Sequence, residues 1–314
     1  MRLPPRTIAL LVVLGVLAVI PPVALAIGQP FYLDLFRRIM IFAIAALSLN
    51  LILGYGGMIS FGHAAYLGVG AYAVTILAHH GIDNGYLQFA VAIGASAAIA
   101  ALIGAVSIRT SGVYFIMITL AFTQMLFYLG ISIEEYGGDD GMRLPMKTRF
   151  PGLFDTGDAT AFYYLVLGIL VLFALLVHRL VNSRFGMVLR AAKSNEVRTR
   201  AIGLSPYPYK LVAFVIAGAM CGVAGALLVN HTAYLTPDFM NWTRSGELMF
   251  MVILGGIATI VGPILGAAAL LLLEDQLAAL TVHWQVILGP ILVLAVLFAK
   301  RGLAGLFRGD ERDG

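Results

Sequence analysis

The chain has 314 residues, 61% hydrophobic and only 11% charged, with a mean hydropathy of +0.95, values that exclude a soluble domain and leave a polytopic membrane protein. Its net charge of +4 gathers in segments expected on the cytoplasmic side, so it reports orientation and excludes nucleic-acid binding as its meaning. The single cysteine, Cys221, lies in an apolar stretch and rules out an intrachain disulfide or a cysteine-rich metal site.

Arg2 and Arg6 precede a first apolar run over residues 7–27. Ala24-Leu25-Ala26 has the form of a signal-peptidase site, but the run reaches spanning length and Pro21-Pro22 would only kink it, so a retained first span is expected. A second span, about 35–53, ends in the glycine-dense break Gly54-Tyr55-Gly56-Gly57-Met58-Ile59-Ser60-Phe61-Gly62-His63. A third covers about 64–78, and Asp83 and Asn84 mark an outer turn. A fourth, about 86–108, returns to Arg109 on the cytoplasmic side.

The fifth span, about 112–130, leads into a loop at 131–160 in which Glu134, Glu135, Asp139, Asp140, Asp155 and Asp158 outnumber Arg143, Lys147 and Arg149. A loop of that balance is expected outside. The sixth span, about 161–181, comes back to a basic loop at 182–210, where Arg184, Arg190, Lys193, Arg198, Arg200 and Lys210 face one acid, Glu196. The seventh, about 211–230, leaves again. Spans eight and nine divide 247–280 around Gly255-Gly256 and Gly262-Pro263, and a tenth, about 282–299, ends at Lys300-Arg301 and a tail with Arg308 and Arg312. About ten spans put both termini in the cytoplasm, leaving Arg37-Arg38 with no account beyond snorkelling.

The basic loop carries helix signals. Residues 184–193 are free of proline, Ser194 and Asn195 are cap-type residues, and 196–202 reads as a second short helix stopped by Gly203, with Pro206 beyond. So short a helix is marginal in water, which predicts that it packs on something, and Val197, Ala201 and Ile202 form a small apolar face. Two readings fit: a solvated basic loop that only orients the protein, and a docking element for a cytoplasmic partner.

An internal echo links the halves. Ile52-Leu53-Gly54, Gly62-His63 and Gly68 are answered by Ile253-Leu254-Gly255, Gly262-Pro263 and Gly266. Paired glycine interruptions point to a transport pathway built from repeats, while glycines that merely allow close helix packing give the same pattern.

The catalytic signatures of ATPases, serine hydrolases and zinc proteases are missing: there is no GxxxxGK[ST], GxSxG or HExxH. Glu247, Glu274 and Asp275 fall towards helix ends, which disfavours an ion-coupled carrier. Uncharged polarity remains in or beside the spans at Asn50, Ser60, His63, Thr119, Thr123, Gln124 and Ser245. Such residues bond helix to helix or line a pathway, and Asn50, Gly56, Ser60, His63, Thr119, Gln124, Ser245, Gly255 and Gly256 are the pathway candidates.

Several stretches together carry a family likeness. They are Leu49-Asn50-Leu51-Ile52-Leu53-Gly54-Tyr55-Gly56-Gly57 with Ser60-Phe61-Gly62-His63-Ala64-Ala65, Gly112-Val113-Tyr114-Phe115 through Thr119-Leu120-Ala121-Phe122, and Gly137-Gly138-Asp139-Asp140-Gly141. Further along come Ser183-Arg184-Phe185-Gly186 through Arg190-Ala191, Asn195-Glu196 and Ala201-Ile202-Gly203, then Lys210-Leu211 with Ala213-Phe214, and Leu254-Gly255-Gly256 with Gly262-Pro263 and Gly266. The chain resembles the branched-chain amino acid ABC importer permeases, the LivH and LivM pair, and within it the LivM-like member.

That resemblance implies an all-α integral membrane protein of type II ABC importer architecture, one permease domain over 1–314 in the bacterial cytoplasmic (inner) membrane. It implies a LivH-like second permease subunit, two cytoplasmic ABC ATPase subunits that hold ATP and magnesium, and an extracytoplasmic solute-binding protein, with no cofactor in this chain. It further implies that the loop resembles the family's coupling loop and docks an ATPase through Arg190, Asn195, Glu196, Val197, Arg198, Ala201, Ile202 and Gly203. Asp140 departs from the small polar residue more usual there, and relatives that carry urea, short amides or other small solutes leave the substrate open. A transporter or channel working without ATPases is the alternative of a different class.

Overall fold

The computed structural model describes residues 5–152, 154–298 and 302–307. Arg2, Lys300, Arg301, Arg308 and Arg312 lie outside the described residues. Twelve α-helices account for most of the rest: α1 (Pro5–Ile27), α2 (Pro30–Asn50), α3 (His63–His79), α4 (Gly85–Ser107), α5 (Val113–Ser132), α6 (Ala159–Val181), α7 (Arg184–Ser194), α8 (Glu196–Ala201), α9 (Pro206–Thr232), α10 (Trp242–Gly255), α11 (Val261–Leu280) and α12 (Trp284–Phe298). A helix coincides with each expected span, and α7 and α8 occupy the basic loop. Among the described residues, six helical stretches are long and apolar enough to cross a bilayer by themselves: Pro30–Tyr55, Gly85–Ser107, Val113–Ser132, Ala159–Val181, Pro206–Thr232 and Val261–Leu280. The chain is a multi-pass membrane protein.

α2 runs on through a π-helical turn, Leu51–Tyr55, and with α9 is the most buried of the six long spans, whereas α4 and α5 are the least covered of the six. Lipid offers no hydrophobic drive between helices, so close packing rests on small residues. A methyl group at Gly70 would strike the Gly222 carbonyl, and one at Gly225 would strike the Leu67 carbonyl, so α3 and α9 touch backbone to backbone. α4 closes on the other side of α9, with Ala100 against Gly218 and Ser96 against Gly222.

The acidic loop is folded rather than loose. β1 (Met142–Arg143) pairs antiparallel with β4 (Tyr234–Leu235), and β2 (Arg149–Phe150) with β3 (Phe154–Asp155). Asn230, near the end of α9, accepts from the Thr148 amide at 3.1 Å, and Thr148 donates its hydroxyl to Gln88 of α4 at 2.5 Å. Buried polar groups require such partners.

Snorkelling is not needed to explain Arg37 and Arg38. Arg37 bonds Asp34 at 2.5 Å and lies over the Phe162 ring at 5.5 Å, while Arg38 reaches Glu274 of α11 at 3.2 Å. Opposite charges and an aromatic face in the same layer keep both guanidinium groups partnered near the end of the bundle that carries the acidic loop.

Candidate functional site

The sequence gives α8 a start and a stop, and both form as hydrogen bonds. The Asn195 side chain accepts from the Arg198 amide at 2.9 Å, capping the first turn. At the other end the Gly203 amide reaches the Arg200 carbonyl at 2.9 Å and the Leu204 amide the Thr199 carbonyl at 3.3 Å, with Gly203 at φ +86°. That pair of bonds is the Schellman closure, which requires the left-handed conformation glycine adopts without steric cost.

α8 buries one residue, Thr199, and leaves Val197 and Ile202 78% and 72% exposed beside exposed Ala201. Its apolar face is uncovered by the other described residues. Glu196 is held by Lys210 at 2.5 Å and Arg200 at 2.8 Å. Burial alone would raise its pKa, but the bonds and charges of Lys210 and Arg200 outweigh that and hold the carboxyl below its ordinary value. Arg200 therefore serves α8 itself and is not free to meet a partner, whereas Arg198 is exposed and has no ionic partner among the described residues.

α7 sets α8 beside the first glycine break. A methyl group at Gly186 would strike the Val181 carbonyl, so the turn from α6 into α7 is tight and fixes the direction of α7. Between the first break, the turn from α4 into α5 and these two helices lies a cavity of about 390 Å³, lined by Gly56, Gly57, Ser111, Lys193, Glu196 and Lys210 among others.

The breaks themselves meet. Asn50, fully buried before the π turn, donates to the Thr259 carbonyl at 2.6 Å and accepts from the Ala258 amide at 3.0 Å. Ala258 has φ +59°, an uncommon left-handed conformation for a residue other than glycine. Thr259 donates to the Gly256 carbonyl at 2.8 Å and accepts from the Gly262 amide at 3.0 Å, closing the second break on itself. Within a membrane, backbone that leaves helical geometry needs such partners.

The sequence comparisons agree with one another. The family described as branched-chain amino acid transport system, permease component, matches residues 31–298. The chain belongs to this family. The permease is 29% identical over 321 residues to the LivM permease protein of the high-affinity branched-chain amino acid transport system of Escherichia coli K12, covering 95% of this chain and 75% of that one. It is 28% identical over 313 residues to the Salmonella typhimurium LivM, covering 90% and 73%. It is 25% identical over 282 residues to the E. coli K12 LivH, covering 84% and 91%. No solved structure matches it.

The permease distributes the polar candidates among distinct tasks. Ser60 accepts from the Gly62 amide at 3.1 Å and Ser245 of α10 from the Ala64 amide at 2.9 Å, so both stabilise the start of α3. His63 shares a 2.8 Å hydrogen bond with Ser48, two residues before Asn50 on α2. Thr119 bonds the Ile116 carbonyl within α5 and packs where a methyl group on Gly62 would stand, while Thr123 reaches the Phe61 carbonyl at 3.4 Å. Gln124, half-buried in the middle of α5, has no hydrogen-bond partner among the described residues. Of the glycines, Gly56 abuts the Ile52 carbonyl, Gly255 abuts Gly262 across the α10–α11 crossing, and Gly256 has φ +119°. Arg190 bonds the Gly186 carbonyl inside α7 at 3.3 Å.

Three residues of the permease escaped sequence reasoning in these roles. Thr259 organises the second break, Lys210 partners Glu196, and Lys193 donates to the Gly54 carbonyl at 2.6 Å. Only the lysines left a signal, as basic residues at the two ends of the α8 segment.

Proposed function

We propose that this chain is the membrane permease subunit of an ATP-driven ABC importer for branched-chain amino acids of the leucine, isoleucine and valine type. Family membership over residues 31–298, with relatives named as high-affinity branched-chain amino acid permeases, is the observation that carries the reading. The permease is a single domain of about ten spans in the type II importer arrangement, lying in the bacterial cytoplasmic membrane with both termini inside. α1, α3, α10 and α12 supply the spans beyond the six long ones.

A LivH-like subunit completes the membrane domain, an extracytoplasmic binding protein delivers the amino acid, and two cytoplasmic ATPases bind ATP and magnesium. One ATPase docks on α8. Support comes from the capped helix whose Val197 and Ile202 find no cover among the described residues, since exposed apolar residues on a rigid element mark contact surfaces. The pathway runs past the paired breaks and the Gln124 face of α5, because a partnerless amide in mid-span is costly against lipid and suits a wet passage or a second subunit.

The test is reconstitution of the permease with its ATPases, second permease subunit and binding protein in proteoliposomes. ATP-dependent uptake of leucine is expected, with the purified binding protein retaining a branched-chain amino acid. Uptake that proceeds without ATPase subunits, or a binding protein that retains urea or a short amide, overturns the assignment.

A further inference from the structure

The cytoplasmic loop has a second attachment to the membrane domain, separate from the α8 face. Lys193, in the last turn of α7, places its ammonium 2.6 Å from the carbonyl of Gly54, a residue 139 positions earlier in the chain. Gly54 belongs to the π turn that ends α2, where terminal carbonyls lack donors from their own helix. The lysine stem lies against Gly57, since a methyl group there would come within 2.9 Å of its Cγ. Gly57 has φ +69° and carries the chain out of the π turn. Head and stem therefore hold the start of the first break from the cytoplasmic side.

From Gly54 the contact continues inward. A methyl group at Gly54 would collide with the Asn50 amide oxygen and stand 2.7 Å from the Ala258 nitrogen, so Gly54 fills the corner between the two breaks. Asn50 then joins them through its bonds to Ala258 and Thr259. The sequence α7, Lys193, Gly54, Asn50, Ala258–Thr259 is an unbroken run of bonds and backbone contacts from the loop to both interrupted helices.

We propose that Lys193 is a positioning residue which transmits displacement of the α7–α8 loop to the two breaks together, through Gly54 and Asn50. The inference rests on the reading that α8 docks an ATPase and deepens it by naming the mechanical tie. Lys193 turns towards the first break and is not part of the apolar face of α8, so docking and transmission separate experimentally.

The experiment replaces Lys193 by Met, which keeps the stem against Gly57 and removes the donor, in the full transporter complex. Subunit stoichiometry, ATP hydrolysis and amino acid uptake are measured on the same proteoliposomes. ATPase subunits stay bound and hydrolysis continues, while uptake per ATP falls about tenfold, the scale of one charge-assisted hydrogen bond. Lys193→Arg, which still donates, restores most of the ratio. Asn50→Ala lowers the ratio as well, and the double variant Lys193→Met/Asn50→Ala is no worse than the weaker single variant, as expected for two links of one connection.

Wild-type uptake per ATP in the Lys193→Met complex overturns the proposal, and so do fully additive losses in the double variant. Loss of ATPase subunits on Lys193→Met overturns it too, by assigning the residue to docking. Failure of the underlying reading has its own signature: a Val197→Asp complex that retains its ATPases and imports normally removes α8 as the dock, whatever Lys193 does.

Discussion

Replacing Gly203 by valine isolates the geometry of α8 from its packing. A β-carbon at Gly203 meets nothing within 4 Å, so the substitution introduces no clash with neighbouring residues. Its cost is confined to the backbone, where φ is +86° and an L-residue loses about 1–2 kcal/mol in the left-handed region, with a β-branched side chain at the upper end. A helix of six residues has few other bonds to absorb the loss. The capped conformation therefore falls about 5–30-fold against its alternatives. Affinity of the membrane complex for its ATPase subunits and substrate-stimulated hydrolysis should fall together, with insertion of the spans unchanged. Gly203→Asn is the matched control, because asparagine visits the left-handed region readily, and it should stay near wild type. Equal behaviour of the valine and asparagine variants would refute the argument that the Schellman closure shapes the docking surface.

Further outcomes follow from the same geometry. Ala201→Asp places a charge beside the exposed Val197 and Ile202 and should abolish ATPase retention, whereas retention with normal transport demotes α8 to a topology signal. The depressed pKa of Glu196 means that its ties to Lys210 and Arg200 support the loop at neutral pH and are lost only as pH falls through the lowered value. Hydrogen exchange of the α8 amides, corrected for intrinsic rate, should therefore stay flat from neutral pH down to mild acid and rise below the ordinary glutamate range; Glu196→Gln should exchange faster at neutral pH. Gly56→Leu pushes a side chain at the Ile52 carbonyl and Gly256→Leu forces φ +119° on an L-residue, so each should insert normally but import poorly; normal uptake by both leaves these glycines as packing residues. Cysteines placed at Glu135 and Arg198 should label from opposite faces of the membrane, and labelling of both from outside sinks the ten-span topology.

The six long spans were legible because apolar length is a one-dimensional property that survives without knowledge of neighbours. Caps were legible for a related reason, since Asn195 and Gly203 act on amides and carbonyls within a few residues of themselves. Asn50 marks the limit. Its polarity announces that it needs partners, yet nothing local says that they are the backbone of Ala258 and Thr259. Lys193 failed in the opposite way, because a lysine in a basic loop already has an adequate explanation in topology, which hides its reach to Gly54. Arg37 and Arg38 looked anomalous only until Asp34 and Glu274 came into contact with them.

The Asn50 bridge also constrains how the permease is made. Its two ends are separated by 208 and 209 residues of chain, so at a synthesis rate of about 5–20 residues per second Asn50 is in place for about 10–40 s before Ala258 and Thr259 exist. Throughout that interval a side-chain amide stands within the membrane without its final partners, an arrangement disfavoured in hydrocarbon. The α2 segment must then stay in contact with water, with the insertion machinery or with another polar side chain until Ala258 and Thr259 arrive. Ribosome pausing or truncation between the two sites should leave α2 the least securely inserted of the early spans.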